Sequence, residues 1–142
     1  MTEAGGLHFG RSDVDWAALT REGLQFLIEQ AQMGRTTAYT ELNAVLARRT
    51  GRRPFDFNQE SERAAMGDLL YRIVEDERPR SGHMISALVI YLNESDAGAG
   101  FYRLAQQYGV LPAKPNARER DQFWSGEVAA IHDHYRRRPR RR

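Results

Sequence analysis

The side chains best suited to acid–base or metal chemistry in this sequence are four histidines, at positions 8, 83, 132 and 134. His132 and His134 fall on a predicted helix, where side chains two residues apart do not share a face. Two histidines on a helix can bind one metal ion when they are three or four residues apart. We therefore interpret His132 and His134 as surface residues and expect no metal site. His83 remains the best candidate for acid–base catalysis, but the sequence pairs it with no nucleophile. We therefore expect no enzymatic activity and no cofactor.

The composition excludes several other kinds of chemistry. The chain has no cysteine, which removes disulfides, thiolate zinc sites, iron–sulfur clusters and cysteine nucleophiles. The single lysine, Lys114, lies in a proline-flanked linker, and no Gly-Lys-Ser/Thr sequence is present to form a P-loop. The sequence AGAG at 97–100 has two interpretations. It offers backbone N–H groups to an anion at the start of a helix, or it is a tight turn.

Arginine is the residue type that can bind an anionic partner here. Six arginines fall among the last seven residues, and the rest of the chain has 15 basic and 19 acidic residues, a net charge of −4 against +2 for the whole chain. Such a tail either neutralises phosphates in a salt-dependent way or is a solvated terminus. A second cluster, between positions 35 and 53, has five arginines against Glu41. The arginines predicted to contact nucleic acid are Arg35, Arg48, Arg49, Arg52, Arg53, Arg136, Arg137 and Arg138.

Three aromatic residues are candidates for binding a partner. Phe55 and Phe57 lie in the polar segment RRPFDFN beside two arginines, a combination that stacks on bases or anchors a protein partner. The alternative is that both rings fold back onto the following helix. Tyr102, on a short predicted helix, is a candidate for a protein interface.

Hydrophobic periodicity and capping residues predict five helices. Ser12, Thr40 and Asn58 are the candidate N-caps of the first three. Asn116 and Glu119, three residues later, have the spacing of a capping box for the last. The predicted helices are 13–33, Thr40 to Thr50–Gly51, Asn58 to Pro79–Gly82, Phe101–Tyr108, and the segment from Asn116 to the tail.

One segment predicts a strand. Met84–Leu92 is apolar on both alternating faces, which is typical of a strand buried on both sides. Its partner in a small sheet is expected to be Arg35–Tyr39 or Leu7–Phe9. The predicted fold class is α+β and mostly helical, with about five helices around a two- or three-stranded sheet. The predicted organisation is a loose lead-in (1–11), one globular domain (12–135) and a basic tail (136–142).

The order of these elements resembles a winged helix-turn-helix domain over residues 13–101. The resemblance lies in GRTTAYTELNAVL at 34–46 and ISALVIYLNESDAGAGF at 85–101, which correspond to the second helix and to the strand and wing. The DNA-binding domain of alkylguanine alkyltransferases has a similar Tyr–Glu–Leu opening, but this chain lacks the cysteine of that activity. The resemblance implies that the third helix is the recognition helix, with Gln59, Glu60 and Arg63 facing bases.

The charge of that third helix argues against insertion of the helix into a DNA groove to recognise bases. Six acids and three arginines lie between Asn58 and Arg78, a net charge of −3, and an acidic helix is repelled by phosphates. We therefore expect a DNA-associated module that contacts the phosphate backbone through the arginine loop and the tail. The alternative is a protein-interaction or oligomerisation module. With no signal-peptide pattern and no membrane-length apolar run, we expect a cytoplasmic protein with no membrane partner.

Overall fold

Five α-helices and one short parallel sheet form the part of the chain that the computed structural model describes, residues 6–91 and 98–136. The strands, β1 (Thr37–Ala38) and β2 (Val89–Ile90), pair with Thr37 opposite Val89. This arrangement confirms the predicted fold class, which is α+β and mostly helical. The helices are α1 (Asp13–Gln32), α2 (Tyr39–Thr50), α3 (Glu60–Ser81), α4 (Ala99–Gln107) and α5 (Ala117–Tyr135).

Two of the helices begin with the capping residues that the sequence predicts. Ser12 and Asp15 form a reciprocal capping box at the start of α1, and Asn116 and Glu119 form another at the start of α5. Each box provides partners for backbone N–H groups that have none within the helix. These two predictions are confirmed.

The predicted caps of the next two helices are wrong. Ala38 is the N-cap of α2 and Gln59 is the N-cap of α3, and neither side chain caps its helix. The predicted cap Asn58 lies in a turn instead, because the carboxylate of Asp56 accepts its backbone N–H at 3.1 Å.

The main core lies where α1 packs against α2 and α3, and α5 covers one side of it. α1 and α3 approach closely at Gly23, where a Cβ atom would lie 2.8 Å from Cδ1 of Ile73. A second cluster, containing Val74, Phe101 and Leu104, fixes α4 against the end of α3. The first cluster therefore holds the three long helices together, and the second positions α4 beside them.

The prediction of a strand over Met84–Leu92 is wrong for most of its length. Ile85–Leu88 forms a 3₁₀ turn, and only Val89–Ile90 pairs as a strand. The reason is that α5 provides the hydrogen-bond partners that a sheet would otherwise supply. The Met84 N–H donates to Oε1 of Glu127 at 2.9 Å, and Nε1 of Trp124 donates to the Ala87 carbonyl at 2.9 Å. The expected burial is confirmed from Met84 to Val89, and Leu92 lies outside the described residues.

The N-terminal lead-in is packed over its described part rather than loose. Backbone hydrogen bonds between His8 and Arg11 close a turn, and Nε1 of Trp16 donates to the His8 carbonyl at 2.9 Å. His8 therefore bridges Arg11, not the strand at 89–90 as the prediction for Leu7–Phe9 allowed. Residues 1–5 lie outside the described part.

A buried ion cluster ties this turn to α3. The side chain of Arg11 is 2% exposed and lies over the Phe55 ring, with 4.1 Å from Cζ to the ring centroid. The carboxylate of Glu62, also buried, lies 3.5 Å from Arg11 and 3.0 Å from Arg53. It also accepts the backbone N–H of Asp56. One carboxylate thus joins three segments of the chain.

Removing this carboxylate should destabilise the fold. We expect Glu62→Ala to lower the free energy of unfolding by roughly 3 kcal/mol, because Arg11 would remain buried without its charged partner. Urea unfolding followed by circular dichroism measures the change. Asp76→Ala, an exposed position on the same helix, is the control and should change stability by less than about 0.5 kcal/mol. Equal stability of both variants would contradict the role assigned to the cluster.

Candidate nucleic-acid interface

Most of the predicted arginine loop is occupied by contacts within the protein. Arg49 lies 2.8 Å from Glu29 on α1, Arg52 lies 2.9 Å from Asp15, and Arg53 is held by Glu62. Hydrogen bonding from Arg49 lowers the pKa of Glu29, and that pair raises the pKa of Arg49. These three arginines fasten the loop to α1 and α3, which corrects the expectation that they present free charge to phosphates.

The other predicted contacts remain at the surface. Arg35 and Arg48 are exposed, and neither forms an ion pair within the described residues. The amide of Gln59 donates to Asp56 at 2.9 Å, and Arg136 lies 3.4 Å from Asp133. Arg137 and Arg138 lie outside the described residues.

The structure corrects two of the three predicted partner-binding aromatics. Phe55 is 3% exposed and belongs to the core, where Arg11 covers its face. Tyr102 is 7% exposed and packs in the second cluster. Neither ring is available to a partner. Phe57 is half-buried and lines a groove.

That groove is a concave feature of the described chain. It lies between the first turn of α2, the first half of α3 and α4, and its volume is about 860 Å³. Met66 and Leu70 of α3 are among the apolar residues that line it. Five aromatic residues share the lining: Tyr39, Phe57, Tyr71, Tyr91 and Phe101. A concave and largely apolar site with a few polar groups is the usual form of a ligand site.

Three helices begin at this groove. Tyr39 and Thr40 of α2, Glu60 of α3, and Ala99 and Gly100 of α4 all line it. None of these helices has a side-chain cap, in contrast to α1 and α5 with their capping boxes. The first backbone N–H groups of a helix have no partner within it and carry partial positive charge. The groove is therefore the place where uncapped positive helix ends converge.

Two arginines add positive charge at the groove. Arg63 of α3 and Arg103 of α4 line it and are exposed, and neither has a carboxylate partner in the described residues. Nη1 of Arg63 donates to the Phe57 carbonyl at 2.7 Å, which fixes its position. Among the described residues, Glu60 is the one acidic residue of the lining. The local charge thus favours an anion.

The acidity of α3 lies largely elsewhere. Glu62 and Glu77 are buried; Glu77 accepts hydrogen bonds from Ser81 and Tyr135. Glu75 accepts a hydrogen bond from Tyr108. The net charge that argued against DNA contact therefore belongs mainly to side chains engaged within the protein, away from the groove.

One nearly buried polar side chain on the lining has no partner within the described residues. Ser86, on the 3₁₀ turn, lines the groove, is 4% exposed, and makes no side-chain hydrogen bond with the described residues. The residue is nearly buried, and a ligand in the groove that displaces water from this hydroxyl must provide it with a hydrogen bond or leave it unsatisfied. The groove is where a ligand can reach it.

The remaining candidate, His83, is engaged with α5. Its Nδ1 lies 2.8 Å from Oε2 of Glu127, whose other oxygen accepts the Met84 N–H. No group of three or more metal-ligating side chains occurs in the described residues. This geometry joins the turn after α3 to α5.

Comparison with known proteins gives no relative: no family model, no curated protein and no solved structure matches the chain. Within the described residues, no helix combines the length and apolar character needed to cross a membrane.

Sequence reasoning did not find most of the groove. Ser86 and Tyr91 lay in a predicted strand, and Tyr39 was assigned to another. The AGAG sequence was the usable signal, since Gly98, Ala99 and Gly100 line the groove. Arg63 was predicted, and the structure brings it together with Arg103, which was not.

Tyr39 provides a test of the burial of this lining. Burial, and then the neighbouring Tyr91, raise its pKa to about 12, while the Gly98 N–H opposes the shift. Between about pH 10 and pH 12 the unfolded chain ionises this phenol, whereas the folded protein keeps it protonated. The contribution of Tyr39 to the free energy of unfolding is therefore complete below pH 10 and is lost as the pH rises to about 12. We expect Tyr39→Phe to remove roughly 2 kcal/mol of the stability loss across that interval.

The measurement is urea unfolding of both proteins at pH 9 and pH 11.5. Tyr71→Phe, which removes an exposed tyrosine, is the control. An unchanged pH dependence in Tyr39→Phe would contradict the assignment.

Proposed function

We propose that this protein is a DNA-associated module of winged helix-turn-helix type that contacts the phosphate backbone at the α3–α4 groove. The observation that carries the proposal is the convergence of three uncapped helix N-termini with Arg63 and Arg103. Helix N-termini bind phosphates through backbone N–H groups, and arginine pairs with them bidentately.

The N-terminal end of α3 is the part that approaches DNA in this proposal. The winged-helix resemblance assigns recognition to this helix, and its exposed Gln59 and Arg63 lie at the groove end. Because phosphate contacts dominate, binding is weakly sequence-specific and falls steeply with salt. The basic tail and the exposed Arg35 and Arg48 contribute further charge. The activity is non-catalytic, and we place it in the cytoplasm.

A second function is favoured by a different observation. Tyr71 and Tyr91 line the groove and are 44% and 47% exposed, which is typical of residues that anchor a protein partner. An apolar groove between helices also accepts an amphipathic helix. Light scattering tests for the homo-oligomeric form of this alternative.

Replacing the two groove arginines should weaken DNA binding. We expect the double variant Arg63→Gln/Arg103→Gln to bind a labelled duplex about tenfold more weakly at low salt, and to reduce the slope of log affinity against log salt by about 2. Fluorescence anisotropy at several salt concentrations gives both quantities.

Arg118→Gln, an exposed arginine on α5 away from the groove, is the matched control and should have a smaller effect. A chain ending at Arg136 separates the contribution of the tail. Absence of duplex binding by the full chain at low salt would refute the proposal, and equal losses in the groove and control variants would move the contact elsewhere.

A further inference from the structure

We infer that the α3–α4 groove holds a single nucleotide, with its heterocycle among the aromatic side chains and its phosphate at the helix ends. The inference deepens the proposed function, on which it rests for the source of the nucleotide. Three independent features of the groove support it: an aromatic lining, the unpartnered hydroxyl of the nearly buried Ser86, and a positively charged opening.

The lining suits a planar ring. The ring centroids of Tyr39 and Tyr91 lie 5.2 Å apart at 37°, and the half-buried Phe57 contributes another apolar face. Gly98 lies against this pair, where a Cβ atom would be 2.9 Å from the Tyr39 hydroxyl and 3.1 Å from that of Tyr91. Aromatic side chains bind unstacked bases through their π-faces. The volume, about 860 Å³, is in the range of sites for small organic ligands.

Ser86 indicates that the ligand is polar at its inner edge. Ser86 is 4% exposed and lines the groove, and its hydroxyl has no hydrogen-bond partner in the described residues. A purely apolar occupant would leave that hydroxyl unsatisfied. A heterocycle with ring nitrogens and exocyclic groups provides the missing donor or acceptor, so a nucleobase suits this position better than a hydrocarbon side chain.

The opening of the groove at the start of α4 suits a phosphate. Ala99 and Gly100 begin α4 on the lining, with no side-chain cap, and Arg103 follows one turn later. Gly100 has nothing within 4 Å of its Cβ position, so the backbone there is open to close approach. Phosphate at an uncapped N-terminus beside an arginine satisfies both groups.

This chemistry has two sources, a free mononucleotide or a nucleotide turned out of a DNA strand. Both present the same ring and phosphate, so the groove residues do not distinguish them. The experiment therefore uses both forms of one probe, 2-aminopurine, whose fluorescence is quenched when it stacks on aromatic rings. One arm uses the free 2-aminopurine deoxynucleoside monophosphate, and the other places it opposite an abasic site in a duplex.

The decisive variant fills the groove without damaging the fold. Gly67 lies within α3 on the lining, with nothing within 4 Å of its Cβ position. Gly67→Leu places a side chain in the groove and improves helix propensity. Gly126→Leu makes the same change in α5, also in open space but away from the groove, and is the matched control.

We expect the wild-type protein to quench 2-aminopurine in at least one arm. Gly67→Leu should weaken the interaction at least tenfold, and Gly126→Leu should leave it unchanged. Ser86→Ala should weaken it about fivefold with no loss of thermal stability, because its hydroxyl has no partner in the described part of the protein. Quenching in the duplex arm alone identifies a strand as the source, and saturation by the monophosphate identifies the free nucleotide; either result supports the site.

The inference and the proposed function fail separately. Duplex binding by anisotropy without quenching in either arm overturns the nucleotide site and leaves DNA association standing. Quenching by the monophosphate without duplex binding supports the site and removes the proposed function. Equal quenching by Gly67→Leu and wild type overturns the assignment to this groove.

Discussion

The site depends on two hydrogen bonds that α5 makes to the segment after α3. Glu127 accepts the Met84 N–H, and Trp124 donates to the Ala87 carbonyl. With these groups satisfied, the chain can turn as a 3₁₀ helix in the interior, since buried backbone polar groups require partners. The turn places Ser86 at the groove and delivers Val89 to its pairing with Thr37. Loss of either contact from α5 would leave a polar backbone group buried and displace the groove lining.

The sequence predicts well those features that depend on residues close together in the chain. The N-cap Ser12 of α1 and the capping box of Asn116 and Glu119 in α5 each depend on residues within three positions of one another, and both predictions were correct. The strand prediction was largely wrong because the partners of 84–88 come from α5, some 37 to 43 residues later. Periodicity correctly indicated that this segment is buried, but it does not report which element satisfies the backbone.

The net charge of a segment also omits information that only the packed chain provides. A count over α3 treats every acid as exposed, but Glu62 and Glu77 are buried, and Glu75 is bonded to Tyr108. The same count treats every arginine of the preceding loop as available, although three bind carboxylates of α1 and α3. Both counts share one limitation: they do not record where each charged side chain lies or which side chain it pairs with. The charge that faces solvent is a property of the packed chain.

The short parallel sheet has a consequence for the order in which the molecule is built. Thr37 of β1 pairs with Val89. The strand β1, which leads into α2, therefore cannot pair until a segment about fifty residues further along the chain has been synthesised. On the ribosome, α1, α2 and α3 can emerge and associate first. The wall formed by α4 and the bonds from α5 come only with the last third of the sequence. A nascent chain therefore acquires its packed helices well before the groove is complete.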